Sequence, residues 1–267
     1  MELVIKNLEF SYQKHSVLKK TTFSFQKGQL ICVLGRNGAG KSTLFRCILG
    51  FLKGWSGSVL IDGKKQENYS GRELAKKIAY IPQNHDPAFS FPVLEMVVMG
   101  TTPTLPLFAN PGKKEREKAI KALETLNILD LKDRIYSQLS GGEQQLVLIA
   151  RAIAQEAKIL LLDEPCSSLD YGNQIRVMRE LRRLSESGYL IILSTHNPEH
   201  AFHFAHQAIV MMEGAIAAQG EPGMILTKEL LQELYQVPIE IYEDESSGKK
   251  VCMPGKETDV CGNCTTV

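Results

Sequence analysis

Apolar and polar positions alternate along this chain with two periods, and the change from one to the other marks the elements. Met1 to Tyr12 and Val17 to Phe25 alternate loosely, as strands open on one face do. Leu30 to Leu34, Ile159 to Leu162 and Leu190 to Leu193 are short continuous apolar runs, the pattern of parallel strands buried on both faces. Ser58 to Asp62 reads as a strand entering an Asp62-Gly63 turn, and Ala79 to Pro82 as a short strand that delivers Gln83 to a loop. Ala208 to Met212 and Ala215 to Gln219 flank Glu213-Gly214 as a hairpin. Helical spacing takes over at Leu44 to Leu49 and at Ile120, Leu123 and Leu126 within Lys113 to Asn127. It returns at Leu146, Ile149, Ala150 and Ile153, and at Ile175, Met178, Leu181 and Leu184 within Gly172 to Ser187. Phe89 to Pro111 is rich in Pro, Thr and large apolar residues and is broken by Val93 to Met99. Strands alternating with helices predict an α/β fold around a parallel sheet with crossover connections.

A length of 267 residues accommodates one large domain, or one domain with an inserted subdomain, and 43% hydrophobic residues are ample for its core. The 31 Lys and Arg are matched by 30 Asp and Glu, leaving a net charge of +1. Neither a global positive field nor a long basic block favours nucleic acid as a partner. The Lys113 to Lys118 charge run reads as the solvated face of a helix. No run approaches the roughly 18 apolar residues of a membrane-spanning helix, and the first residues lack the charged and apolar regions of a signal peptide. The expectation is a soluble, cytoplasmic protein. Of the cysteines, Cys32, Cys47 and Cys166 fall in core or motif segments, so a disulfide framework is not expected. Cys252, Cys261 and Cys264 lie near the C-terminus, the last two as C-x-x-C. A metal or iron–sulfur site usually takes four ligands, and three cysteines without a nearby His fit a disordered tail with reduced thiols better than a metal shared between two copies.

The chemistry centres on Gly35-Arg36-Asn37-Gly38-Ala39-Gly40-Lys41-Ser42-Thr43, which fits G-x-x-x-x-G-K-[ST] residue for residue and stands between a buried strand and a helix. Its glycines allow successive N–H groups to face one anion, and the helix N-terminus adds its positive end. Lys41 would reach β- and γ-phosphates and Ser42 would offer a hydroxyl to Mg²⁺, so the loop points to a nucleoside triphosphate. Ser140-Gly141-Gly142 opens another helix, either as a second anion site or as a plain cap. The Ile159 to Leu162 strand ends in Asp163-Glu164-Pro165, where ligands sit in open α/β sheets. Adjacent strand residues point to opposite sides, so one carboxylate can hold Mg²⁺ while the other addresses a water, unless both merely pair with Lys or Arg. Tyr12, at a strand end, either stacks on a base or packs at a rim. His196, after the Leu190 to Leu193 strand, reads locally as a polar loop residue.

These motifs, in this order, resemble the nucleotide-binding subunit of an ATP-binding-cassette (ABC) transporter over about residues 1–235, extending to 254. The most specific of them is Leu139-Ser140-Gly141-Gly142-Glu143-Gln144-Gln145, which is similar to the family's signature loop. The resemblance implies that Tyr12 stacks on adenine, Gly35 to Thr43 is the Walker A loop, and Gln83 is the Q-loop glutamine. It likewise implies that Asp163 is the Walker B aspartate, Glu164 the catalytic base, Ser167 to Asp170 the D-loop reaching nucleotide through Asp170, and His196 the switch histidine. Lys41, Gln83 and His196 would join Glu164 in catalysis, and Ser42, Gln83 and Asp163 would hold Mg²⁺. Two copies would pack head to tail with ATP between them, Ser140, Gly141 and Gly142 of one completing the site of the other. The implied fold is a P-loop NTPase ABC cassette with a mixed central sheet, an antiparallel β subdomain and an α-helical subdomain inserted at about 84–155. A β-hairpin would follow at 236–254 and a disordered tail at 255–267.

The resemblance also implies the use of that ATPase. Phe91 to Gly100, then Thr-Pro and a basic-acidic helix, look like the cassettes that power iron-siderophore, haem and vitamin B12 importers, as do Val237 to Tyr242 and Val251 to Pro254. The partners would be separate transmembrane permease subunits and, indirectly, a substrate-binding protein, with this chain at the cytoplasmic face of the membrane. Glu143-Gln144-Gln145 and Cys166 depart from the usual signature ending and from a usual Thr, at positions that are not catalytic. Another importer class or an exporter cassette is the nearest alternative. A ribosome-associated factor usually carries two cassettes, and a chromosome or DNA-repair ATPase splits its cassette around a coiled coil.

Overall fold

The computed structural model describes residues 2–83, 90–106, 109–246 and 248–256. Glu2–Tyr12 (β1) and His15–Gln26 (β2) pair antiparallel, burying Leu3, Ile5, Leu8 and Phe10 from one strand and Leu18, Phe23 and Phe25 from the other. Leu30–Leu34 (β3), buried throughout, runs through a loop into Lys41–Ile48 (α1). Ser56–Ile61 (β4) and Lys64–Lys65 (β5) return to the first hairpin and complete an antiparallel sheet in the order β2-β1-β4-β5. Gly71–Ala75 (α2) and Ile78–Ile81 (β6) follow. Val93–Val98 (α3), Lys113–Thr125 (α4) and Gly141–Ala154 (α5) then pack together beside the sheets. The chain re-enters at Ile159–Leu162 (β7), crosses by Tyr171–Glu186 (α6) to Leu190–Thr195 (β8), and continues through Pro198–Phe204 (α7) to Gln207–Met212 (β9) and Ala215–Gly220 (β10). Pro222–Ile225 (α8), Lys228–Tyr235 (α9) and an antiparallel pair, Ile239–Asp244 (β11) with Lys249–Pro254 (β12), close the described chain.

The second sheet runs β10-β9-β3-β8-β7-β6, parallel except for β10. Successive strand residues face opposite sides, so β3 gives Ile31 and Val33 to a core shared with the antiparallel sheet and α1, and Leu30, Cys32 and Leu34 to a core shared with the helices. This is why its apolar run has no polar gap. The register sets Leu34 beside Thr195 and Leu162 beside Leu193. The C-terminal ends of β3, β7 and β8 therefore share one rim, where Gly35, Asp163 and His196 begin their loops. The expected α/β fold with a mixed sheet and an antiparallel sheet is borne out.

The expected stripes bury Leu123 and Leu126 and, on α6, Met178, Leu181 and Leu184, and each is widened by neighbouring positions. On α4 the stripe runs through Ala119, Ala122 and Leu123, and Ile120 is half-buried; on α6, Val177 is buried and Ile175 half-buried. Alanines lie innermost where helices approach closely. Another close approach occurs at Gly100, after α3, where an added Cβ would sit well inside contact distance of the Arg151 carbonyl oxygen on α5. Gly100→Ala is expected to destabilise the protein by about 2 kcal/mol through overpacking, seen as a lower urea midpoint at unchanged slope. Among the described residues no helix is long and apolar enough to cross a membrane.

Candidate functional site

Where β3 ends, the chain turns through Gly38 and Gly40, whose φ values of 85° and 99° lie in the left-handed region that L side chains rarely enter. A Cβ on Gly40 would stand 2.9 Å from the Val17 carbonyl oxygen, so this glycine is also required by packing. The turn sets Lys41 at the first position of α1 with its side chain folded back under the loop. Its Nζ donates to the Gly35 carbonyl at 2.7 Å and the Arg36 carbonyl at 3.3 Å and lies 3.6 Å from Glu164 Oε1. Lys41 is 5% exposed. Burial holds its pKa below the ordinary lysine value, opposed by the nearby Glu164 and Asp163 carboxylates. A cation in so dry a place has a strong field for anions.

Strand alternation does not reach the two carboxylates after β7. The strand is already over at Leu162, and Glu164 has φ of 47°, a left-handed conformation that costs a non-glycine residue about 1 kcal/mol or more. Ser194, buried at the end of β8, fastens the turn: its hydroxyl donates to Asp163 Oδ1 at 2.6 Å and accepts from the Glu164 N–H at 2.8 Å. Glu164 is thereby aimed at the rim, 12% exposed. Gln83 Nε2 donates to its Oε2 at 3.1 Å, and His196 Nδ1 lies 3.7 Å from the same oxygen.

Tyr12, Val17, the Arg36 to Thr43 loop, Gln83 and Glu164 line one cleft of about 430 Å³. Tyr12 packs edge-on against Phe10, with ring centroids 4.7 Å apart, and is 42% exposed. The oxygen donors near the loop suit Mg²⁺: a hydroxyl at Ser42, a carboxylate at Asp163, and the amide oxygen of Gln83, whose nitrogen already serves Glu164. Among the described residues no cluster of three His, Cys, Asp or Glu forms a metal site. A cation here therefore needs hydroxyl, amide and ligand oxygens.

Ser140, Gly141, Gly142 and Asp170 do not line this cleft. Ser140 caps α5 in a reciprocal box with Glu143, its N–H donating to Glu143 Oε2 at 2.8 Å. Gly142 is small because the Asn173 side chain of α6 rests on it. Asp170 caps α6, accepting from Asn173 N–H at 2.9 Å and Asn173 Nδ2 at 2.8 Å. Ser140, Gly141 and Asp170 are exposed, so one chain presents two separate parts of what the resemblance joins.

Sequence reasoning passed over Ser194, Gln174, His200 and Tyr235. A polar residue directly after the apolar run of β8 was the available signal for Ser194; the others follow from contacts between distant elements. Tyr235 on α9 donates from its hydroxyl to the His196 carbonyl at 2.7 Å. The Cys47 and Cys166 thiols, pushed up to about 12 by burial, are packing groups. Cys252 is half-buried on β12, and Cys261 and Cys264 lie outside the described residues.

Residues 18–167 match the family model described as ABC transporter. The chain is 42% identical to an ABC transporter ATP-binding protein of Haemophilus influenzae, over 90% of this chain and 92% of that one. It is 34% identical to the ferric enterobactin transport ATP-binding protein FepC of Escherichia coli, over 93% and 92%. A metal-chelate type ABC transporter solved in an inward-facing conformation superposes with a TM-score of 0.84 at 33% identity, covering 96% of this chain and 98% of its counterpart.

Proposed function

The chain belongs to the ATP-binding subunits of ABC transporters, and from that membership we propose that it hydrolyses ATP between two copies of itself to drive uptake of a metal chelate through a separate permease. The observation that carries the reading is the convergence of Lys41, Gln83 and His196 on the Glu164 carboxylate, all within 3.7 Å, at the mouth of a phosphate-binding loop.

The roles follow from position. The loop N–H groups and the N-terminus of α1 receive the phosphates, with Lys41 reaching the β- and γ-phosphates and Tyr12 against the base. Glu164 accepts a proton from a water that attacks the γ-phosphorus in line. The bond to the β-phosphate oxygen breaks, releasing ADP and inorganic phosphate. His196 donates to the γ-phosphate, and Lys41 offsets the charge that develops on the transferring group. Ser42, Asp163 and Gln83 would hold Mg²⁺, which would supply charge neutralisation at the phosphates.

Ser140 to Gly142 and Asp170 belong to the same site across the dimer. The exposed N-terminus of α5 offers N–H groups and a helix dipole to the γ-phosphate of the facing copy. ATP then joins the two copies, and its hydrolysis lets them part. Gly141→Glu places a carboxylate where those phosphates would lie. Turnover is expected to fall about 100-fold, with loss of the ATP-dependent dimer in gel filtration and unchanged affinity of the single chain for a fluorescent ATP analogue. Turnover and dimer both intact would contradict the sandwich.

The metal-chelate cargo is carried over from FepC and from the superposed transporter, and the peripheral position on the cytoplasmic face from the need for a permease. Gentle solubilisation of membranes holding the tagged chain tests both. Recovery of two copies with a multi-span permease is the expected result. Recovery with ribosomes, or in the soluble fraction with ATPase intact, would remove the importer assignment and leave the ATPase.

A further inference from the structure

His200 takes no part in the mechanism above, yet it is 5% exposed and both of its ring nitrogens are engaged. Nδ1 lies 2.9 Å from Thr195 Oγ1, and Nε2 lies 3.3 Å from Gln174 Oε1. The neighbours decide the direction of each bond. Gln174 on α6 uses its amide nitrogen to donate to the Leu169 carbonyl at 2.9 Å, so its oxygen faces the ring and accepts. Nε2 therefore carries the proton and Nδ1 is bare. Thr195 Oγ1 donates to Nδ1 while accepting from the Asn197 N–H at 3.1 Å. The result is one directional chain: Asn197 N–H to Thr195, Thr195 to His200, His200 to Gln174, and Gln174 to Leu169. Reversing one link would set two donors or two acceptors against each other.

The ends of this chain lie at informative places. Thr195 and Asn197 flank His196. Leu169 lies in the Ser167 to Asp170 loop, whose Ser167, Ser168 and Asp170 are exposed beside the Ser140-Gly141 surface assigned to a second copy. A small cavity of about 40 Å³ separates the relay from Glu164 and is lined by Glu164, Cys166, Gln174, His196 and His200. Burial, with His196 and His203 nearby, holds His200 down at about 4, so its ring stays neutral and its two roles stay distinct at neutral pH.

We propose that His200 is a positioning residue that couples the 167–170 loop to His196 through Gln174 and Thr195. Seating of a second copy on that loop then sets the backbone that aims His196, and turnover depends on the relay while ATP binding does not. The inference rests on the assignment of His196 to the γ-phosphate and deepens it.

The test uses the full chain and compares ATPase kinetics, affinity for a fluorescent ATP analogue, and thermal midpoint. His200→Leu is expected to lower kcat about tenfold or more with KM and analogue affinity within about twofold. His200→Gln, which keeps one acceptor and one donor, should stay within about threefold of the parent. Gln174→Leu should reproduce the His200→Leu loss, and the double variant should be no slower than either single one, because both cut the same chain. Gln174→Leu also carries the test if His200→Leu does not fold. Wild-type kcat in His200→Leu alongside a crippled His196→Ala would overturn the relay and leave the His196 assignment standing. Equal loss in His200→Gln and His200→Leu with lowered midpoints would reduce His200 to a packing residue and overturn the relay as well. Full turnover in His196→Ala would overturn the assignment and the relay together.

Discussion

Glu164→Gln is expected to lower ATP turnover by about 10³-fold while leaving ATP affinity equal or higher. The amide has the shape of the carboxylate and can still meet Gln83, but it cannot take a proton from water, and removal of a positioned general base costs about 10² to 10⁴ in rate. Affinity moves the other way because Glu164 stands beside the Lys41 ammonium at 3.6 Å, in the same cleft as the phosphate-binding loop. Neutralising it removes repulsion between a carboxylate and the incoming phosphates. The amide is also the informative substitution, since it keeps the size of the side chain and leaves the hydrogen bond from the 164 N–H to Ser194 in place. A single-turnover assay with labelled ATP reads the chemical step, and gel filtration reads accumulation of ATP-bound dimer. Turnover within tenfold of the parent would remove Glu164 from the role of base.

The parts of this site that were legible in the sequence are those whose physics is local. A run such as Leu30 to Leu34 has no polar gap because both faces of β3 are covered, and a loop with glycines at 38 and 40 must bend left-handed before a helix. What escaped depends on contacts between distant segments. Gln83 and Glu164 are 81 residues apart, and their hydrogen bond exists because β6 and β7 are neighbours in the sheet. The aim of Glu164 could not be taken from strand alternation, because the strand stops two residues earlier and Ser194, on another strand, sets the turn. Helix α7 has seven residues and α9 eight, too short for a 3.6-residue period to stand out, so His200 and Tyr235 had no pattern to announce them. Gly142 stands in the sequence only as part of a helix start, and the Asn173 side chain lying against it comes from α6.

Lys41→Ala is expected to weaken ATP binding by about 100-fold and to lower stability by about 1–2 kcal/mol, two effects with different origins. The binding loss reflects charge-assisted hydrogen bonds to phosphate oxygens, each about 1.5–3 kcal/mol when the partner is charged. The stability term is a contest. Burial already disfavours the Lys41 ammonium, as its lowered pKa shows, so deleting it relieves a desolvation penalty. Deletion also strips Glu164 of its cation and leaves the Gly35 carbonyl without the donor that now sits 2.7 Å away. The second effect wins by a modest margin, because Glu164 keeps the Gln83 amide and partial contact with water. Lys41→Arg does not restore binding: a planar guanidinium is too large for the space beneath the loop, where one ammonium is held by two backbone carbonyls. Titration with a fluorescent ATP analogue, beside urea unfolding of each variant, separates the terms. Affinity of Lys41→Ala within threefold of the parent would mean that the backbone N–H groups and the helix dipole hold the phosphates unaided, leaving Lys41 to act on the transition state alone.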